Sequence, residues 1–357
     1  MNKKFLAFGA VALASATVLS ACSAGGDASS TGAAGSGSLS IYAWAGEIPD
    51  SVIEGFEAET GIDVTVDTFD SNETMISKLA AGNSGYDVVE PSQYAVQLMV
   101  ERDLIAEIDK SKLEGFDNLA EKFVDPSFDP GNTHSIPWAW GTTGILYNEA
   151  CTGAEVTGWA DMWNPDYAGK VYMLDNMLSA YIAGLQVNGL SATTTDEAEI
   201  ATATDSLLEQ KPLLGGYNST NYADLVGTGD ACIAEAYSGT AAAKAVEANP
   251  DVHYIIPEEG GTLWTDSFSI VEGTANEDAA YEWLNYTLRP EVAALLTDDA
   301  SLASTNAAAL ELVADQSQVE NPAIYAPADS LTNSEFIVDP GDALAYFQDG
   351  WTRVRAS

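Results

Sequence analysis

From Leu39 onward the chain reads strand, helix, strand, helix, and that alternation limits the fold more than any other feature. The segment SLSIYAW alternates as a first strand. Asp50 can cap a helix carrying Val52, Ile53 and Phe56, and Gly61 suits its end. In IDVTVDTF, Ile62, Val64, Val66 and Thr68 oppose Asp63, Thr65, Asp67 and Phe69, as in a strand with one wetter face. Asn72 then caps a helix with Met75, Ile76 and Leu79, ended by Gly82, and YDVVEPS is a third strand stopped by Pro91. Such a pattern predicts an α/β lobe with a mostly parallel sheet. Ligands of these sheets bind beyond the carboxyl ends of the strands, which here are Trp44 to Glu47 and Glu90 to Tyr94.

The second half departs from this rhythm. SIPWAWGTTGILYN, Ser135 to Asn148, is an unbroken apolar strand expected to cross into a second lobe. A helical turn at Trp159 to Trp163, a strand after Gly169, an Ala-rich helix around Asp196 to Glu209 and the strand ACIAEAY continue that lobe. IVEG and a helix from Asn276 to Leu288 return to the first lobe, and helices near Ala307 to Val313 and Asp342 to Trp351 are expected to close the second. Between them, EEGGTLWTDS sets Trp264 and Asp266 on one face of a strand behind a flexible Gly-Gly. An indole can pack on methylenes while a carboxylate pairs with an ammonium, so this face can receive an organic cation.

The N-terminus reads as a leader. Lys3 and Lys4 precede an apolar run from Phe5 to Leu19 that is too short to span a bilayer and ends in small residues. Leu19-Ser20-Ala21-Cys22 resembles a bacterial lipobox, making Cys22 the expected lipidated first residue of the mature chain. The following stretch to residue 38 is poor in large apolar side chains and reads as a tether. Removing 21 of 357 residues leaves 336, enough for two domains. The leader holds two lysines and no acid, so the formal charge of −41 becomes −43 without it (−41 − 2). Phosphate binding needs clustered Lys and Arg, so nucleic acid is excluded as a partner. The acidity suits either a salt-adapted surface or the steering of cations.

Cys151 and Cys232 can pair in an exported protein or remain two buried thiols. His134 and His253 stand outside any zinc or His-based catalytic frame, and neither a G-x-S-x-G elbow nor a phosphate-binding loop occurs, so no catalytic residue, metal or cofactor is expected. Paired carboxylates leave a secreted glycoside hydrolase as a distant alternative.

Seven stretches carry a family likeness: DSNETMISKLAAG, YDVVEPSQY, IDKSKL, FDPGNTHSIPWAWG, WADMWNPDYAGK, EEGGTLWTDS and EWLNYTLRPEVAALL. In this order, over most of residues 39 to 300, they resemble the spermidine/putrescine-binding proteins of bacterial polyamine ABC transporters. The resemblance implies a type II periplasmic-binding-protein-like fold, with two α/β lobes and a ligand cleft between them. Residues 39–143 and 265–308 would form lobe 1, and 144–264 and 309–357 lobe 2. It also implies an extracytoplasmic solute-binding lipoprotein, monomeric and held to the cell membrane by its lipid, or periplasmic where an outer membrane exists. That protein would hand a polyamine or related organic cation to the permease without making or breaking a bond. A monocationic or zwitterionic, amino-acid-like solute is the alternative within the same role.

By position, the likeness puts Trp44, Ser92, Tyr94, Tyr237, Trp264 and Asp266 in the cleft. The four rings would box the methylene chain, Asp266 would pair with an amine, and Ser92 would hydrogen-bond. Tyr237 stands where the family often has Trp. The family's frequent carboxylate pair falls on Asn176 and Ser179, a frequent aromatic falls on Glu47, and another falls on Leu302. Glu47, Glu90 or Glu235 can supply the missing charge, because period two sends Glu235 the same way as Tyr237.

Overall fold

A computed structural model describes residues 37–357; the expected leader, Cys22 and nearly all of the tether lie outside that range. The strands in chain order are β1 (Ser38–Trp44), β2 (Asp63–Phe69), β3 (Val88–Val89), β4 (Ile136–Asn148), β5 (Val171–Met173), β6 (Leu214–Tyr217), β7 (Ile233–Tyr237), β8 (Val252–Ile255), β9 (Thr262–Ile270), β10 (Ala303–Ser304) and β11 (Glu335–Phe336). Their hydrogen-bonded order is β2-β1-β3-β9-β4-β7-β5-β6. β1 runs parallel to β2 and β3, and β5 runs parallel to β6 and β7. β9 and β4 are antiparallel to each other and to their outer neighbours, so this pair joins two parallel half-sheets. All 13 residues of β4 are buried, as its unbroken apolar run requires.

Helices cover both faces of the first half-sheet. Val52 and Phe56 on one helix, with Trp283, Leu284 and Leu296 on two later ones, pack against Leu39, Ile41 and Phe268. Met75, Ile76, Val96 and Met99 seal the other face around Tyr42 and Val89. The second half-sheet is covered likewise by two clusters, and the C-terminal helix Leu344–Ala356 lies on Met177–Gln186 and Glu197–Gln210. β4 and β7 pair so that Cys151 and Cys232, just beyond them, have Cα atoms 5.1 Å apart and form a disulfide.

Several local expectations change. Asp50 is the first helical residue, and Pro49 occupies the cap position. Ser71, not Asn72, caps the second helix by accepting the Thr74 N–H, which frees the Asn72 amide for other partners. Phe69, expected on the wetter face of β2, is buried against Tyr42 and Trp44, at ring-centroid distances of 5.0 and 4.5 Å. The third strand is only two residues long. The turn Ala307–Leu312, expected to close the second lobe, instead places Ala309 and Val313 in the core of the first half-sheet. Asn306 fixes it there: its Oδ1 caps the turn while its Nδ2 donates to Leu288 O at 2.9 Å.

Candidate functional site

The carboxyl ends of both parallel half-sheets converge on the middle of β9. From the first half, β1 delivers Trp44 and β3 is followed by Glu90 and Ser92. Ser92 forms an antiparallel bridge with Asp266, and its hydroxyl donates to Asp266 Oδ1 at 2.5 Å. The freed Asn72 amide clamps this corner. Its Oδ1 accepts the Ser92 N–H at 3.1 Å, and its Nδ2 donates to Tyr94 Oη at 3.0 Å. Glu90 Oε2 accepts the Trp44 N–H at 3.0 Å, tying β1 to β3. Glu47 is positioned through its carbonyl, which accepts the Trp138 indole N–H at 3.2 Å.

From the second half comes Tyr237, the last residue of β7, with its hydroxyl 3.2 Å from that of Ser179. Two residues earlier on the same face, Glu235 Oε2 accepts the Leu174 N–H at 3.1 Å, just past the end of β5. Trp264 lies against Gly141, its partner on β4, where any Cβ would collide with the indole. Its N–H donates to Thr142 O at 3.2 Å.

Four carboxylates therefore meet an apolar interior. Glu90 and Glu235 are 0% exposed and Asp266 is 4% exposed, while Glu47 is half-buried with Oε2 sealed from solvent. Among the described residues none of the four forms a salt bridge. Glu47 Oε2, Glu90 Oε1 and Glu235 Oε1 have no hydrogen-bond partner. Burial pushes the Asp266 carboxyl up to about 7, opposed by the Ser92 hydroxyl and by the Trp44 indole N–H, which points toward it without forming a hydrogen bond of normal geometry. Burial likewise raises Glu235 to about 8, opposed by the Leu174 N–H. Glu47 and Glu90 are raised well above the usual range by burial and then by the charge of Asp266. Buried acids without a counter-charge suit an arriving cation.

The sequence-derived residues fall into three groups. Trp44, Glu47, Ser92, Tyr94 and Asp266 gather on the first half-sheet's side, with Glu90 among them. Ser179, Glu235 and Tyr237 gather on the other, and Tyr237 lies within electrostatic reach of both Glu235 and Asp266. Trp264 sits on the crossing strands between the halves. Asn176 is exposed just past the end of β5, and its Oδ1 caps the helix Met177–Gln186 by accepting the Ser179 N–H. Leu302 is buried beneath Gly239 and lines the core. Two contributors were missed, Asn72 and the buried Gln93, whose amide accepts the Thr265 N–H at 3.0 Å and donates to Ile337 O at 3.2 Å. The D-x-N and S-x-Y spacings around them hold no sequence signal for such long-range bonds.

The family described as bacterial extracellular solute-binding protein matches residues 51–326. The spermidine/putrescine-binding periplasmic protein of Escherichia coli is 34% identical over 320 residues, covering 89% of this chain and 91% of the relative. A solved spermidine/putrescine ABC transporter substrate-binding protein of Streptococcus pneumoniae superposes with a TM-score of 0.81 at 30% identity, covering 89% of this chain and 98% of that one. A lipoprotein of Treponema pallidum does so with a TM-score of 0.80 at 28% identity, over 90% and 100% of the two chains.

Proposed function

The chain belongs to the bacterial extracellular solute-binding proteins and, within them, to the spermidine/putrescine-binding family, and on that premise we propose that it captures a polyamine outside the cytoplasm and delivers it to an ABC permease. It is a binding protein and not an enzyme. The observation that carries the reading is the set of buried carboxylates without a salt-bridge partner among the described residues, beside aromatic rings where the two half-sheets meet. Asp266 with Ser92 offers one ammonium position. Glu235, held at the end of β5, offers a second, near where the family's own acid pair would follow that strand. Trp44, Tyr94, Tyr237 and Trp264 supply faces for the methylenes between them.

Magnitudes favour such a ligand. Each ring beside a desolvated ammonium contributes roughly 0.5 to 2 kcal/mol, and each buried CH2 about 0.8. Micromolar binding needs only about 8 kcal/mol. A zwitterion would instead bring a carboxylate among four acids, a repulsive placement. Residues 39–143 and 265–319 form lobe 1 in this reading, and 144–264 and 320–357 form lobe 2; the packing of Ala309 and Val313 supports moving the second boundary. The ligand touches both lobes and so favours the closed state.

Thermal shift with putrescine, spermidine, spermine, agmatine and neutral amino acids tests the ligand class. A ligand at 100 times its dissociation constant adds about 2.7 kcal/mol of stability. The polyamines should raise the melting temperature at both low and high salt, because a cleft contact is screened less than adsorption to the acidic surface. Shifts confined to low salt, or given only by amino acids, would refute the reading. Lipid attachment at Cys22 is part of the proposal, supported by the lipobox-like Leu19-Ser20-Ala21-Cys22 and by a lipoprotein relative. Cys22→Ala should move the protein from the membrane fraction to the soluble one, and an unchanged distribution would reject the anchor.

A further inference from the structure

Asp266 with Ser92 is sufficient for one ammonium, yet the fold brings two more acids to the same corner. Glu90, at the carboxyl end of β3, is wholly buried, with one oxygen held by the Trp44 N–H and the other without a partner. Glu47, just past β1, has Oε2 sealed from solvent and unpartnered. Asp266 raises both, and Glu90 further raises Glu47, so the three act on one another after burial has acted on each. The other titratable groups facing this corner are Tyr94 on the helix Gln93–Glu101, Tyr237 on β7, and Glu73, which accepts from Tyr94 Oη at 3.5 Å. Both phenols are raised by burial and stay neutral, and none of these groups brings a positive charge. Among the described residues, no group of three or more His, Cys, Asp or Glu side chains is placed to hold a metal ion.

Three like charges in so dry a corner do not all ionise together. This inference rests on the polyamine reading of the cleft. We propose that Glu47, Glu90 and Asp266 form a single cation pole that holds protons when no ligand is bound and surrenders them to solvent when an ammonium head enters. Glu90 and Glu47 are then specificity-determining residues, which favour a head of full positive charge with several N–H donors over a neutral amine or amide. The exchange is balanced: a carboxyl O–H gives its proton to the buffer, an N–H of the ligand takes its place at the oxygen, and no other bond changes.

Calorimetric titration of putrescine and spermidine, at pH 6.0, 7.0 and 8.5 in buffers of different ionisation enthalpy, tests this. The wild-type protein should release about half a proton to one proton per ligand near pH 7, and its affinity should rise at least about ten-fold from pH 6.0 to 8.5. Glu90→Gln should bind about ten-fold more weakly than wild type at pH 8.5, yet within about three-fold of it at pH 6.0, with less proton release. Glu47→Gln is the second variant, and both are checked for cooperative unfolding. If wild type binds without releasing protons and with pH-independent affinity, or both variants track it at every pH, the exchange is overturned while the polyamine reading stands. If neither amine binds wild type at any pH, the functional reading fails and this inference falls with it.

Discussion

Glu235 enters the interior on a strand whose neighbours are Ala234 and Ala236, with only the Leu174 N–H to satisfy one oxygen. Burial pushes its carboxyl up to about 8 from an ordinary 4.5. A raised acid binds protons more tightly folded than unfolded, so its contribution is favourable at low pH and is lost as pH climbs through the folded value. Glu235→Gln keeps the acceptor for Leu174 and removes the charge. It should leave unliganded stability nearly unchanged at pH 4 and raise it by several kcal/mol, on the order of 5 at most, at pH 9, while weakening diamine binding. Urea unfolding at the two pH values checks the first part, and equal stability changes at both would contradict it. Period-two reading of ACIAEAY makes the direction of this residue legible in the sequence. The capping role of Asn176 is not, because a helix start is legible in sequence only to within a residue or two.

The crossing strands β4 and β9 set the geometry between the two halves. β4 was legible as one long apolar run, and β9 as the strand after Gly260-Gly261, since burial on both faces leaves a strong compositional mark. β3 was legible in YDVVEPS but is only two residues long, whereas β11, also two residues, exists by pairing with β9, which no local pattern announces. Where the crossing strands touch, Gly141 lies beneath the Trp264 ring and beside Ser238 Oγ, with no room for a Cβ. Gly141→Ala should push the indole off its seat, lower stability by about 1–3 kcal/mol, and weaken polyamine binding more than it weakens folding. Tryptophan fluorescence and calorimetry on the same sample separate the two effects. Unaltered binding with an unshifted emission maximum would show that the indole is not seated as described.

Across the whole molecule, 54 acids stand against 13 Lys and Arg, yet only Glu47, Glu90, Glu235 and Asp266 gather at the candidate site. In the proposed function the general acidity would speed the approach of cations and be screened by salt, whereas the buried acids would select what stays bound. The two-lobed plan followed from strand order and the family likeness. The seat of residues 309–319 did not, because Ala309 and Val313 suit either core. The central claim is that rings and acids from both halves hold one positively charged aliphatic molecule. A crystal structure of the protein with spermidine tests it most directly. The account predicts one ammonium within about 3 Å of an Asp266 carboxylate oxygen and another near Glu235, with methylenes against Trp44 and Tyr237. Spermidine bound elsewhere, or a cleft in which those side chains face away from it, would contradict the account.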